Sequence, residues 1–193
     1  MQHDGLFLFL EPNSDPAVDR VVLRHDGGGS TLLAWAPDGD QAARVAETAV
    51  TENGVRLIEL YRGFDLAQAA RVVERVVPRA PVATASYELG ATVAGPIRRS
   101  ATIYHDPDAD PARKRVVREH GDGWTVVVGA PLERMAEVAE QLVGDGAQVV
   151  EICGGAELTA AAAVRARLGD RVPVSLVSWP FESLEGAAAY KTA

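Results

Sequence analysis

Two segments of this chain repeat apolar residues at the spacing of an amphipathic helix. From Met135 to Val143, apolar residues recur at i, i+3, i+4, i+7 and i+8, which gathers them on one helix face. The stretch from Ala42 to Val50 has the same spacing. Two further helices are predicted near residues 66–76 and 158–168. Glycine or proline follows each of the four segments and predicts its end.

Short apolar runs alternate with these helices and are typical of strands. They cover residues 6–10, 31–36, 55–61, 82–87, 101–104, 124–130, 147–153 and 174–179. The order strand–helix–strand–helix–strand predicts right-handed βαβ connections and a mainly parallel sheet. Strands that are covered on both faces explain the nearly continuous apolar character of these runs.

The segment after the first strand of each half leaves two alternatives open. Asp15-Pro16 and Asp110-Pro111 suit the start of a short helix with proline in its first turn. The Arg-Val-Val stretches that follow, at 20–22 and 115–117, instead suit a hairpin strand that ends at a glycine-rich loop.

The second half of the chain repeats the first. Residues 6–26 align with 101–121 at an offset of 95, and the offset then falls in single steps to 92. At the last offset Glu59 and Gly63 match Glu151 and Gly155. Each change of offset falls in a polar or glycine-rich connection, where insertions are tolerated. Chance similarity would not confine its gaps in this way, so the chain is predicted to be a tandem duplication.

The predicted fold class is α/β, with two homologous ββαβαβ-type repeats, mainly parallel strands, and packing of the repeats as a pseudo-dimer. The first repeat is placed at residues 1–90, a linker at 91–97 and the second repeat at 98–193. A (βα)-barrel made from two half-barrels has the same repeat logic. The chain of 193 residues is slightly shorter than the roughly 200 to 250 residues usual for that fold.

Composition disfavours several classes of function. The net charge of −8 disfavours nucleic acid and anionic membranes as partners. No stretch approaches the roughly 20 apolar residues of a membrane span, and the chain start lacks the basic region of a signal peptide. One cysteine allows no disulfide within the chain, and the histidines form no cluster with metal-ligand spacing. We therefore expect a cytoplasmic protein, without a metal and, since no phosphate-binding glycine motif occurs, without a cofactor.

One acid recurs in the central strand of each repeat, as Glu59 and Glu151. A carboxylate in a buried strand costs free energy unless it is paired or neutral. Burial raises the pKa of a carboxyl group toward the range that suits general acid–base catalysis. The alternative is a structural acid that a backbone N–H, an arginine or a water satisfies. The acid is retained in both repeats although the side chains near it differ. The catalytic and the structural hypotheses therefore carry equal weight.

The carboxyl ends of the strands form a second candidate site, because ligands of open parallel sheets bind there. Gly154 and Gly155 precede a helix, so their N–H groups are candidates to bind a carboxylate or phosphate. In the first repeat Arg62 replaces one glycine and is a candidate for the same anion. The other substrate-binding candidates at this edge are Tyr61, Tyr87, His105 and Trp179. Most glycine pairs of this kind only turn the chain.

The remaining catalytic candidates are Cys153, His25 and His120. Cys153 precedes a helix N-terminus, which lowers the pKa of a thiol and favours a nucleophile. Its counterpart is Tyr61, however, and a buried cysteine more often acts as a small apolar side chain. His25 and His120 match each other before glycine-rich loops. They suit acid–base or capping roles, although a histidine in a surface turn is the commoner case.

The second half also carries a set of motifs that resembles a known family. It has a strand, then DPARKRVV, a strand that ends in Gly-Ala-Pro, a helix, VVEICGG, and Val-Pro-Val-Ser. This resembles a family of small bacterial proteins of unknown function with a Glu-(Leu/Ile)-Cys-Gly-Gly motif, each about one such half in length. The resemblance covers nearly all of residues 100–179, and the first half matches with the motif altered to ELYRG at 59–63. It implies an α/β fold and no assigned reaction.

Together these features predict a small cytoplasmic enzyme that acts on a small organic substrate by glutamate-mediated proton transfer. The reaction would be of the isomerase, cyclase or lyase type. It would belong to bacterial metabolism, and specialised metabolism is one setting in which we would expect it. The alternative is a non-catalytic small-ligand-binding or assembly protein, in which both glutamates are hydrogen-bond acceptors of the core. The expected partner is the small-molecule substrate, with no nucleic acid and no membrane, and a homo-oligomer is left open.

Overall fold

The structure is a computed structural model that describes residues 2–26, 28–87 and 91–192, with Tyr87 described for its backbone alone. The chain divides into two compact units. One unit contains the residues up to Ala85 together with those from Ser178 onward, and the other contains Ser86–Val177.

The first unit is a mainly parallel sheet with helices between its strands. Its elements are β1 (Gly5–Leu10), β2 (Arg20–Arg24), β3 (Ser30–Ala36), α1 (Gly39–Asn53), β4 (Leu57–Tyr61), α2 (Leu66–Val76) and β5 (Val82–Tyr87). β1 runs parallel to β3 and β4, and β4 runs parallel to β5. β2 pairs antiparallel with β3, so the strand order is β2-β3-β1-β4-β5.

The second unit repeats this arrangement. Its elements are β6 (Arg99–His105), β7 (Arg115–His120), β8 (Gly123–Ala130), α3 (Met135–Gly144), β9 (Val149–Ile152), α4 (Leu158–Leu168) and β10 (Val174–Ser178). β6 runs parallel to β8 and β9, and β9 runs parallel to β10. β7 pairs antiparallel with β8, so the same strand order recurs as β7-β8-β6-β9-β10.

The predicted α/β class with mainly parallel strands and two repeats is confirmed. The alternatives after the first strand of each repeat resolve in favour of the hairpin, since β2 and β7 are antiparallel strands. Asp15 makes a turn instead of a helix start, because its side chain accepts a hydrogen bond from the amide of Ala17 at 2.9 Å. Each repeat therefore has one more strand before its first helix than the ββαβαβ pattern contains. Pseudo-dimer packing stays a prediction.

One helix lies outside the predicted elements. α5 (Leu184–Thr192) belongs to the first unit. The Ser183 hydroxyl just before it accepts a hydrogen bond from the amide of Val82 at 2.9 Å, which ties the helix start to β5. The Arg56 guanidinium lies 5.3 Å from the ring centre of Tyr190 near its end. In the part of the chain that the structure describes, no helix has the length and apolar character needed to cross a membrane.

Both faces of each sheet are buried, because side chains alternate along a strand. In the first unit one face packs with α1 and α2 through residues such as Leu6, Leu8, Ala34, Ile58 and Leu60. The opposite face carries Phe7, Phe9, Trp35, Glu59 and Tyr61, each at most 6 % exposed. The second unit packs Ala101, Ile103, Val126, Val128, Val150 and Ile152 with α3 and α4. Its opposite face carries Thr102, Tyr104, Val127, Glu151, Ser175 and Val177, each at most 5 % exposed.

A surface ion network links the two helices of the first repeat. Glu47 on α1 lies 2.9 Å from Arg75 on α2 and 3.9 Å from Arg79 just after it. Exposed ion pairs of this kind contribute little individually to stability. They connect the exposed sides of the two helices.

The second repeat has the same network at equivalent positions. Glu140 on α3 lies 2.6 Å from Arg167 on α4 and 3.1 Å from Arg171 just after it. Hydrogen bonds from Arg167 and Arg171 lower the pKa of the Glu140 carboxyl group below its ordinary value. The duplication therefore extends to charged surface positions that pair helices.

The first prediction concerns the start of α2. Asp65 and Gln68 form a reciprocal capping box, with bonds of 2.7 and 3.0 Å, whereas Glu157 at the equivalent position makes no cap hydrogen bond with α4. We expect Asp65→Ala to lower the free energy of unfolding by about 1 kcal/mol. Glu157→Ala, the matched control, should change it by a few tenths at most. Urea unfolding followed by circular dichroism measures both, and equal losses would contradict the assignment.

The second prediction concerns the pH dependence of the Glu140 network. Because the pKa of Glu140 is lowered in the folded chain, its contribution to stability is present at neutral pH and is lost as the pH falls below the ordinary glutamate pKa of about 4.3. We expect the carboxyl ¹³C titration of Glu140 to move back toward that value in Arg167→Gln and Arg171→Gln. A Glu140 titration unchanged by either variant would refute the network.

Candidate functional site

Glu59 lies among aromatic rings on the opposite face of the first sheet. The Tyr61 hydroxyl donates a hydrogen bond to Glu59 Oε2. Phe9 stacks between Tyr61 and Trp35, with ring centres 5.3 and 5.0 Å apart, and Phe7 meets Tyr61 edge-on at 5.1 Å. The carboxyl group is therefore held by a phenol in a covered, ring-lined setting, and Glu59 is 2 % exposed.

A buried ion pair lies at the carboxyl ends of β1 and β4 in the same unit. Arg62 Nη1 is 3.4 Å from Glu11 Oε2, and the two side chains are 3 % and 8 % exposed. Arg62 has a φ of 63°, a left-handed conformation that costs a non-glycine residue roughly 1–2 kcal/mol. Its equivalent in the second repeat is Gly154. Arg62, the residue predicted to bind an anion, thus already pairs with Glu11. Its strained backbone lies at the edge of the sheet where ligands of parallel sheets bind.

Glu151 lies in a row of polar side chains on the opposite face of the second sheet. Thr102 on β6 and Ser175 on β10 are the register partners of Glu151 on its two sides. Glu151 and Thr102 expose no surface and Ser175 is 2 % exposed. Among the residues that the structure describes, neither the Thr102 nor the Ser175 hydroxyl has a hydrogen-bond partner. We call these three residues the polar row.

The hydroxyl residues of the polar row stand where the first repeat has apolar side chains. Phe7 and Ala83 are the register partners of Glu59, where the second repeat has Thr102 and Ser175. Cys153, Tyr104 and Gly129 stand where the first repeat has Tyr61, Phe9 and Trp35. Tyr104 covers Gly129, since a Cβ there would come within 2.7 Å of its hydroxyl oxygen. The second repeat therefore surrounds its glutamate with smaller and more polar groups.

Cys153 and the two glycines follow Glu151 at the end of β9. The Cys153 amide donates to the Ile103 carbonyl at 2.9 Å, and the residue is 8 % exposed. Gly154 is half-buried and Gly155 is exposed. α4 begins at Leu158 with Glu157 as its N-cap, so the glycines lie ahead of the first helical turn. The structure places Cys153 just after β9 and places the glycine amides outside the helix terminus.

The histidines lie apart from the glutamates. His25 Nε2 is 2.9 Å from Thr31 Oγ1 on β3, and β1 separates β3 from the strand of Glu59. His120 ends β7, where its ring comes within 3.0 Å of a Cβ built on Gly123. β8 and β6 separate β7 from the strand of Glu151. The acid–base role of this pair stays a prediction.

The remaining substrate-binding candidates are spread along the strand ends. Tyr61 is fully buried against Glu59. His105 is the last residue of β6 and is exposed, and Trp179 follows β10 and is half-buried. The Tyr87 side chain lies outside the described part of the structure. In this group Tyr61 contacts a predicted catalytic residue, Glu59.

The sequence of the chain matches one family. The sequence model of the Family of unknown function (DUF6506) matches twice, over residues 4–92 and 98–192. The chain belongs to this family. The two successive matches agree with the tandem duplication predicted from the falling offset. Comparison with curated proteins and with solved structures gives no match.

Thr102 and Ser175 are residues of the candidate site in the second DUF6506 repeat that sequence reasoning missed. The segment SATIY at 100–104 alternates polar and apolar residues, which was a usable signal that one face of this strand is polar. No motif linked that segment to Glu151, because strand register is needed to do so. Across the residues that the structure describes, no three His, Cys, Asp or Glu side chains come together as a metal site would require.

A cavity of about 490 Å³ lies along α4 in the same unit. Its lining is mainly apolar, from Leu158, Ala161, Ala162, Ala166, Val174 and Leu176, and it includes Ser175 of the polar row. An apolar space thus adjoins the strand that supplies one of the hydroxyls.

The third prediction concerns the Tyr61–Glu59 bond of the first DUF6506 repeat. Tyr61→Phe removes the hydroxyl donor and should lower the free energy of unfolding by about 1–3 kcal/mol, because the buried Glu59 carboxyl group then loses this hydrogen bond. Glu59→Gln in the Tyr61→Phe background should cost less than in the wild type. A double-mutant cycle in urea measures this coupling. Strict additivity of the two changes would show that the bond contributes nothing.

Proposed function

We propose that the chain is an enzyme that transfers a proton on a small organic substrate, with Glu151 of the second repeat as the acid–base group. The reaction is of the isomerase, cyclase or lyase type and takes place in the bacterial cytoplasm. The observation that supports this proposal is the polar row. It flanks one buried carboxyl group with two buried hydroxyls that lack partners among the described residues.

Unused hydrogen-bonding capacity inside a protein calls for an explanation. Leaving a buried donor or acceptor unsatisfied costs about 1–3 kcal/mol, and native proteins leave few such groups. Thr102 and Ser175 each have a hydroxyl that both donates and accepts. Together with Glu151 they supply donors and acceptors for a substrate oxygen and a carboxyl group that takes up and returns a proton. A bound substrate that uses these atoms would repay their burial.

Entry to the polar row requires movement, because Thr102 and Glu151 expose no surface. One feature favours entry at the end of β9. Gly154-Gly155 follows this strand, and Gly155 is exposed. The polar group of the substrate would reach the row from that end.

The repeats would then divide their roles. In the first repeat the phenol of Tyr61 holds the glutamate and aromatic rings fill the space around it. Glu59 is its counterpart by position, with a structural role in this proposal. We further propose that residues 151–155, Glu-Ile-Cys-Gly-Gly, are the functional segment of the family, with Cys153 shaping the site and Gly154-Gly155 allowing it to open.

A non-catalytic small-ligand-binding or assembly protein is the second candidate. The observation that favours it is the deep burial of both glutamates, at 2 % and 0 % exposure. A carboxyl group that is buried this deeply can serve as a structural hydrogen-bond acceptor as well as a catalytic group.

The fourth prediction separates the two candidates by solvent exchange. The chain is incubated in D₂O with a defined pool of small carbonyl compounds, and mass spectrometry measures deuterium uptake at carbon. We expect uptake with the wild type and a loss on the order of 10²–10⁴-fold in Glu151→Gln, because a general acid–base group contributes this much. Glu119→Gln, the same change at an exposed position of the same repeat, should leave the rate unaltered.

Thr102→Val and Ser175→Ala extend the test to the hydroxyls, with circular dichroism as the folding check for every variant. Ligand-induced stabilisation of the wild type without deuterium uptake would select the binding protein. Full uptake by folded Glu151→Gln would remove Glu151 from the mechanism.

A further inference from the structure

A groove lies at the edge of the first repeat, between α1 and the hairpin strand β2. Its volume is about 220 Å³. The floor is apolar and comes from Leu32 and Ala34 on β3, with Val45 and Ala49 on the α1 side. Pro16 and Ala17, from the connection before β2, form the far wall. This groove shares no lining residue with the cavity along α4.

Two arginines line this groove, Arg20 at the start of β2 and Arg44 on α1. Both are exposed. Within the part of the chain that the structure describes, neither guanidinium has an ion pair or hydrogen bond, although most other arginines of α1, α2 and α4 or their ends are paired with acids. In a chain with a net charge of −8, this groove therefore carries two positive charges that no acid among the described residues pairs.

The second repeat provides an internal comparison. The equivalent groove has about 250 Å³ and is lined by Pro111, Ala112, Arg115, Val128, Val138 and Leu142. Its second arginine, Arg134, lies 3.6 Å from Glu137, and Asp145 also lines it. Glu137 occupies the position equivalent to Arg44. The groove is therefore a feature of the fold, whereas the pair of unneutralised cations belongs to the first repeat.

We propose that this groove binds a small organic anion, a carboxylate or phosphate ester with a short hydrocarbon chain. Guanidinium groups bind planar and tetrahedral oxyanions through paired N–H donors. The apolar floor suits the hydrocarbon part, and the volume limits the ligand to a small molecule. This site is independent of the proposed chemistry at Glu151.

The fifth prediction tests the groove with hexanoate as the probe. The full chain is titrated with hexanoate while ¹H–¹⁵N spectra record backbone amides and arginine Nε–Hε groups. We expect saturable shifts at Arg20, Arg44 and the amides of Val45 and Ala49. Arg20→Gln and Arg44→Gln should each weaken binding by about tenfold, since each removes a charge-assisted hydrogen bond. Hexyl phosphate in a second titration shows which oxyanion the groove prefers.

The controls separate this site from general effects of charge and apolar surface. Arg24→Gln removes an exposed charge from the same strand outside the groove lining and should change the affinity by about twofold or less. Neutral hexanol should not reproduce the shifts. The absence of saturable shifts would overturn the proposal. Equal shifts with hexanol, equal weakening in Arg24→Gln, or equal binding at the Arg115 groove would also overturn it.

Discussion

Each repeat depends on one constraint. It buries a carboxyl group in the central strand of a sheet that is covered on both faces. A carboxylate removed from water must be compensated by donors, cations or neutralisation. Glu59 and Glu151 occupy the same register position in their sheets. The side chains next to each glutamate therefore decide whether its strand can be buried. They must compensate the carboxyl group, and this requirement determines which residues occupy that face of the sheet.

The two repeats meet this constraint by different means. The first supplies a phenol from Tyr61 and packs it among Phe7, Phe9 and Trp35. Aromatic stacking adds to the area these rings bury, so this face is a rigid, filled core. The second supplies small hydroxyl side chains on the neighbouring strands. Thr102 and Ser175 therefore give this face polar groups with unused hydrogen-bonding capacity.

Other features recur in both repeats. The glutamate with two arginines links the helix pair in each repeat, and a groove beside the hairpin strand is present in each. The repeats also differ at strand ends and groove walls. Arg62 stands where the second repeat has Gly154, and Arg44 stands where it has Glu137. Differences between the repeats therefore occur both on the opposite face of the sheet and outside it.

The helices, the parallel strands and the duplication follow from the sequence, because periodicity and offset are local properties of the chain. The Met135–Val143 spacing is enough to place α3, and the matched positions of Glu59 and Glu151 are enough to single them out. Strand order and register are decided by tertiary structure. They bring Thr102 and Ser175 to Glu151 from segments far apart in sequence, and they leave β1 between β3, which His25 contacts, and the strand of Glu59. No local pattern contains that information, since it arises only when separate segments pair.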